Sequence, residues 1–82
     1  MTRYRIQTRT VTAGGTELHT SSVILSRQEA IDDVSTTARI ASLAGWHTVT
    51  RGDGLAVELV CTRGRTCRTL TIRQSDAFDD TL

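Results

Sequence analysis

The chain has 82 residues, 38% of them apolar and 23% charged, with a net charge of +1 and no proline. A folded domain usually takes ~100–200 residues, so this length holds one small domain, too apolar for a disordered tail and too balanced for a basic nucleic-acid arm. No stretch approaches the ~20 apolar residues of a membrane-spanning helix. The first residues, Met1-Thr2-Arg3-Tyr4-Arg5, are not followed by the apolar run of a secretion signal. Two cysteines without such a signal are expected to be reduced thiols, which places the chain in a cytoplasm. All ten cationic side chains are arginine, and lysine and asparagine are absent. That usage is expected of a GC-rich bacterial genome, or of its phages and plasmids.

Residues 4–11 alternate in polarity and are rich in β-branched side chains, which predicts a strand. Gly14-Gly15 supplies the positive φ angles of a tight hairpin turn, and residues 16–25 read as the returning strand. Pairing about that turn sets Tyr4 against Leu25 and Ile6 against Val23 on one face. Arg3, Arg5 and Arg9 occupy the other face, across from Ile24 and Leu18.

Ser26-Arg27-Gln28-Glu29 spells a capping box, so a helix is expected to begin at Arg27. At 100° per residue, Ala30, Ile31, Val34, Ala38, Ile40, Ala41 and Ala44 fall on one side, and Gly45 stands where a left-handed cap belongs. The period then returns to two. Residues 47–51 predict a short strand, Gly52-Asp53-Gly54 a turn, 55–62 a longer strand, Gly64 another turn and 67–73 a last strand. Residues 76–82 carry Asp76, Asp79 and Asp80 with Phe78 as sole anchor, and are expected to fray as an acidic tail after a single domain of residues 1–75.

The expected fold is therefore α+β, in the order β-β-α-β-β-β, with an antiparallel sheet and a single helix packed on one face. A helical crossover that returned the third strand beside the first would give the spatial order 2-1-3-4-5. One helix covers only part of one face of such a sheet, which leaves the opposite face for solvent, another copy or a partner.

Candidate chemistry is sparse. Pairing the last hairpin symmetrically about Gly64 sets Cys61 opposite Cys67. A register shifted by one aligns Leu59 with Leu70 and Val57 with Ile72, sends the thiols to opposite faces, and is favoured by apolar matching. Two Cys and two His (His19, His47) without a Cys-x-x-Cys knuckle do not spell a zinc site. His47 near Cys61 lacks the local signature of a nucleophile–base pair, and Asp32-Asp33 point 100° apart on the helix as solvated charges. Phosphate loops would need a glycine-rich turn that opens a helix and, for the nucleotide type, a lysine. Arg51-Gly52-Asp53 matches integrin-binding letters but reads as turn chemistry. No catalytic residue, cofactor or metal is expected.

Arginine supplies what remains. Arg63, Arg65 and Arg68 surround the last hairpin turn, while Arg3, Arg5 and Arg9 line one face of the first strand. Guanidinium groups suit bidentate contacts, so both sets are candidate nucleic-acid or partner contacts. The expected function is a non-enzymatic interaction module that self-associates through the uncovered sheet face, with Val11, Leu18, Ile24 and Val60 as its interface. A phage or mobile-element origin would add a host protein as partner. The alternative is a nucleic-acid-binding protein using the arginine-rich hairpin, against which the small net charge counts.

Overall fold

Alternating β-branched positions build strands in this chain, and its one capped amphipathic stretch builds the helix. The structure, a computed structural model, describes residues 2–75, so the acidic segment 76–82 lies outside the described residues. In chain order the elements are β1 (Arg3–Thr12), β2 (Gly15–Thr20), α1 (Arg27–Leu43), β3 (His47–Arg51), β4 (Glu58–Arg63) and β5 (Thr66–Ser75). The five strands form one sheet with every neighbouring pair antiparallel, and α1 lies on one side of it. The fold is the expected α+β arrangement.

The strand order differs from the expected 2-1-3-4-5: it is β2-β1-β5-β4-β3. Length matching explains the difference. β1 and β5 have ten residues each and pair from Arg3↔Ser75 to Val11↔Cys67, whereas β3 has five and would leave half of β1 unpaired. The helix permits this order because 17 residues span ~25 Å at 1.5 Å each, enough to cross a five-stranded sheet ~19 Å wide. β2 and β3 are thereby left as the two edges.

Both ends of α1 follow the sequence. Ser26 Oγ accepts the Glu29 N–H at 3.2 Å while Glu29 Oε1 accepts the Ser26 N–H at 2.9 Å, which closes the capping box. At the other end Gly45 adopts φ +93°, and Trp46 N–H donates to the Ala41 carbonyl at 2.9 Å. Gly45 N–H donates to the Ser42 carbonyl, completing a Schellman cap. Ala30 and Val34 are buried against Ile6, Leu59, Cys61 and Leu70, with Ala38, Ala41 and Trp46 packed around them. Ile40 breaks the expected stripe. It is 61% exposed, at the margin of the stripe about 120° around the helix from Val34, and borders an apolar groove by the C-terminal half of α1.

The hairpin registers sort into one confirmation and two corrections. β4 and β5 pair Leu59 with Leu70 and Cys61 with Arg68, so the two cysteines face opposite sides and remain free thiols. β1 and β2 turn at Ala13-Gly14 instead of Gly14-Gly15, with Thr12 facing Gly15. Thr12 Oγ1 accepts the Gly14 N–H at 3.2 Å and fixes the turn one residue early. That displaces the register by two residues and keeps the side chains of β1 and of residues 15–20 on their expected faces. Tyr4 still bridges Leu25, because residues 22–24 bulge out between the Ile6–Ser21 contact and that bridge. β2 therefore ends at Thr20, and Ile6 lies opposite Ser21 instead of Val23. The connection after β3 is also longer than a tight turn, since residues 54–56 form a 3-10 turn and β4 starts only at Glu58. Gly52 sets this path: it has φ +72°, and a Cβ there would sit 2.7 Å from the Ala56 carbonyl oxygen.

Candidate functional site

The registers arrange the uncovered face in cross-strand rows. Toward the two hairpin tips one row runs Thr16, Val11, Cys67, Thr62, His47, and the next runs Leu18, Arg9, Thr69, Val60, Val49. A third row runs Thr20, Gln7, Thr71, Glu58, Arg51. Beyond it stand Arg5 opposite Arg73 and Arg3 opposite Ser75. The face is thus graded, from threonine and valine at the tips to arginine at the far end. Among the described residues it carries five arginines (Arg3, Arg5, Arg9, Arg51, Arg73) and one carboxylate, Glu58, which lies opposite Arg51.

Net charge hides this segregation. Glu29, Asp32 and Asp33 belong to α1, Glu17 to the helix side of β2 and Asp53 to the turn after β3, while three more acidic residues fall in 76–82, outside the described residues. Arg3, Arg5 and Arg73 are within a strand spacing or two residues of each other, a few ångströms to ~7 Å between backbones, inside the ~8–10 Å screening length of physiological salt. Their positive potentials therefore add. Like charges directly opposite across strands cost stability, yet Arg5 and Arg73 are so placed. Arg73 Nε donates to Gln7 Oε1 at 3.1 Å, which holds its guanidinium along the face. A shallow hollow of about 130 Å³ lies between Gln7, Arg9, Leu18, Glu58, Thr71 and Arg73.

The arginines singled out from the sequence do not form one surface. Arg3, Arg5 and Arg9 lie on the uncovered side, whereas Arg63 and Arg68 alternate to the helix side at the hairpin-tip end, with Arg65 in the turn. Arg68 packs there, its guanidinium carbon 4.9 Å from the centre of the Trp46 ring. Arg51 and Arg73 join the uncovered cluster, although neither is among the candidates that sequence alone supplies. Alternation with Leu70 and Ile72 puts Arg73 outward, but its place beside Arg5 depends on the β1–β5 pairing. Of the apolar candidates, Val11, Leu18 and Val60 share the uncovered face and are joined by Val49, while Ile24 lies in the 22–24 bulge and belongs to neither strand.

The helix side offers a second concavity. Thr8, Ile40, Ala41, Trp46, Cys61 and Leu70 help to line a groove of about 380 Å³ under the C-terminal half of α1. The Cys61 thiol is pushed up from its ordinary range by burial, which keeps it protonated and a poor nucleophile. His47 sits one residue from the Cys61 partner Thr48 but alternates to the opposite face, so it is no base for that thiol. His19 and His47 stand on opposite edges of the sheet, and among the described residues no three of His, Cys, Asp and Glu converge as a metal site.

No helix among the described residues is long and apolar enough to cross a membrane. Comparison with protein-family models, with curated proteins and with solved structures finds no match to this chain.

Proposed function

We propose that this chain is a non-enzymatic binding module whose working surface is the uncovered sheet face and whose partner is the phosphate backbone of nucleic acid. One observation carries the reading: five arginines against one glutamate on a face that no other described element packs on. Threonine hydroxyls and the Gln7 amide interleave with the guanidinium groups, and these are the donors that ordinarily position a protein on phosphates. Tyr4 and Trp46 both belong to the helix side, so among the described residues the face has no Phe, Tyr or Trp on which bases would stack. A five-stranded sheet is too broad to enter a groove that admits two strands. Binding by backbone contacts is accordingly expected to be tolerant of sequence.

Titration of a labelled DNA duplex at low salt, followed by anisotropy, tests this. Arg3→Gln, Arg5→Gln and Arg73→Gln together are expected to weaken binding well over tenfold, and the matching changes at Arg63, Arg65 and Arg68 to weaken it less. No binding by the native chain, or the reverse order of the two triples, overturns the proposal.

A second reading, self-association through the same face, rests on the contiguity of Val11, Leu18, Val60 and Val49 at the tip end. It requires an offset stack, because direct superposition brings the arginines of both copies together. Val60→Asp is expected to abolish any dimer formed that way.

A further inference from the structure

We infer that the β2 edge is a homodimer interface, in which β2 pairs antiparallel with β2 of a second copy about a twofold axis at Leu18. The main-chain geometry is the first support. Ser21 N–H bonds the Ile6 carbonyl at 2.9 Å, so Ile6 and Ser21 are a hydrogen-bonded pair, and by alternation so are Thr8 and His19, Thr10 and Glu17, and Thr12 and Gly15. Thr16, Leu18 and Thr20 belong to the other kind of pair. Their N–H and C=O groups therefore point off the sheet, along an edge whose six residues are all exposed.

Edge strands usually discourage such pairing by proline, an internal bulge or a lysine. β2 has neither proline nor bulge between Gly15 and Thr20, and its one formal charge, Glu17, stands on the helix side. The opposite edge, β3, is shorter and ends in Arg51.

Side-chain complementarity selects the partner. With the axis at Leu18, the segment Thr16-Glu17-Leu18-His19-Thr20 reads against itself. On the uncovered side Leu18, 64% exposed in the single chain, meets Leu18 of the second copy, and Thr16 meets Thr20. On the helix side Glu17 meets His19 of the second copy, twice, a carboxylate acceptor opposite an imidazole N–H donor. Moving the axis to Glu17 sets carboxylate against carboxylate, and moving it to Thr16 loses both the leucine contact and the Glu17–His19 pairs. Only the Leu18 register satisfies both sides.

The twofold axis is normal to the sheet, so the two uncovered faces join into one. In a flat sheet the Arg5 and Arg73 positions of the two copies then lie roughly 30–36 Å apart, close to the ~34 Å of one duplex turn. That consequence rests on the nucleic-acid reading; the pairing itself does not.

Sedimentation equilibrium of the full chain from micromolar to millimolar concentration tests the dimer. The native chain is expected to show a concentration-dependent dimer. His19→Glu, which sets carboxylate against carboxylate at both pairs, is expected to raise the dissociation constant about tenfold or more. The double change Glu17→His with His19→Glu restores complementarity and is expected to restore the dimer. Both side chains are exposed and outside the core, so circular dichroism is expected to be unchanged. Val60→Asp, on the uncovered face, is expected to leave the dimer intact. A native chain that stays monomeric, a dimer insensitive to His19→Glu, or one abolished by Val60→Asp overturns the inference. Nucleic-acid binding by a monomer would leave the functional proposal standing while this one falls.

Discussion

Leu59→Ala is the sharpest probe of how thin the core is. Leu59 on β4 is the only large side chain that is fully buried among the described residues, held between Leu70 across the sheet and Ala30 and Val34 below α1. The change removes three carbons, worth ~2.4 kcal/mol of transfer free energy at ~0.8 per methylene. A residual cavity adds about 1 kcal/mol more at ~24 cal/mol per Å³. A total near 3–4 kcal/mol is large beside the roughly 4–12 kcal/mol that an 82-residue domain has in all. With a urea m-value of about 1 kcal/mol per molar, the midpoint is expected to fall by ~3 M, or Tm by more than ~12 °C. Ile40→Ala is the control. Ile40 lies at the margin of the apolar stripe, about 120° around the helix from Val34, and is exposed, so its loss is expected to change stability by no more than about 0.5 kcal/mol. Urea melts of both variants decide the matter. A cost below about 1 kcal/mol for Leu59→Ala, or an equal cost for Ile40→Ala, would refute the placement of α1 on the sheet.

The capping box and the thiols give further expected outcomes. The backbone N–H and the side chain of Ser26 hold the Glu29 carboxyl below its ordinary range, with Arg3 adding a smaller effect. A folded-state value lowered in this way gives stability that is present above the unfolded Glu range, ~4.3, and is lost as pH falls through the folded value. Urea melts between pH 6 and about pH 3 are expected to show Glu29→Gln losing less stability on acidification than the native chain, and an equal loss would contradict the capping assignment. Ser26→Ala is expected to cost about 1 kcal/mol at neutral pH, read from the same melts. Maleimide labelling under native conditions is expected to modify half-buried Cys67 first and buried Cys61 only on unfolding, and oxidation to yield no internal disulfide because the two thiols face opposite sides. Equal labelling rates would contradict that register.

Local physics is legible in the chain, and long-range pairing is not. The cap residues Ser26, Glu29 and Gly45 act within one turn of the helix they bound, so their roles can be read in place. Leu59↔Leu70 is readable because a short hairpin leaves only two registers, and one of them strands its apolar side chains. The partner of β1 has no such constraint. Many residues separate it from β5, and only the shared length of ten residues signals the pairing. The same gap divides the arginine cluster. Arg3 and Arg5 are visible as one side of β1, but Arg73 joins them through β5. Arg63 and Arg68, close in sequence and basic, alternate to the helix side, where Arg68 covers Trp46. Ile40 departs from expectation for a different reason: it lies at the margin of a stripe half the helix wide, and helical period does not show how far the sheet covers that stripe.

That the uncovered sheet face holds phosphate is tested most directly by the salt dependence of duplex binding. Arg3, Arg5, Arg9 and Arg73 each neutralising one phosphate give a slope of log K against log salt near −3.6, at about −0.9 for each contact. The Arg3, Arg5 and Arg73 triple to glutamine is expected to flatten that slope to about −1, while changes at Arg63 and Arg65 leave it near the native value. A native slope near zero, or one flattened only by Arg63 and Arg65, would contradict the claim.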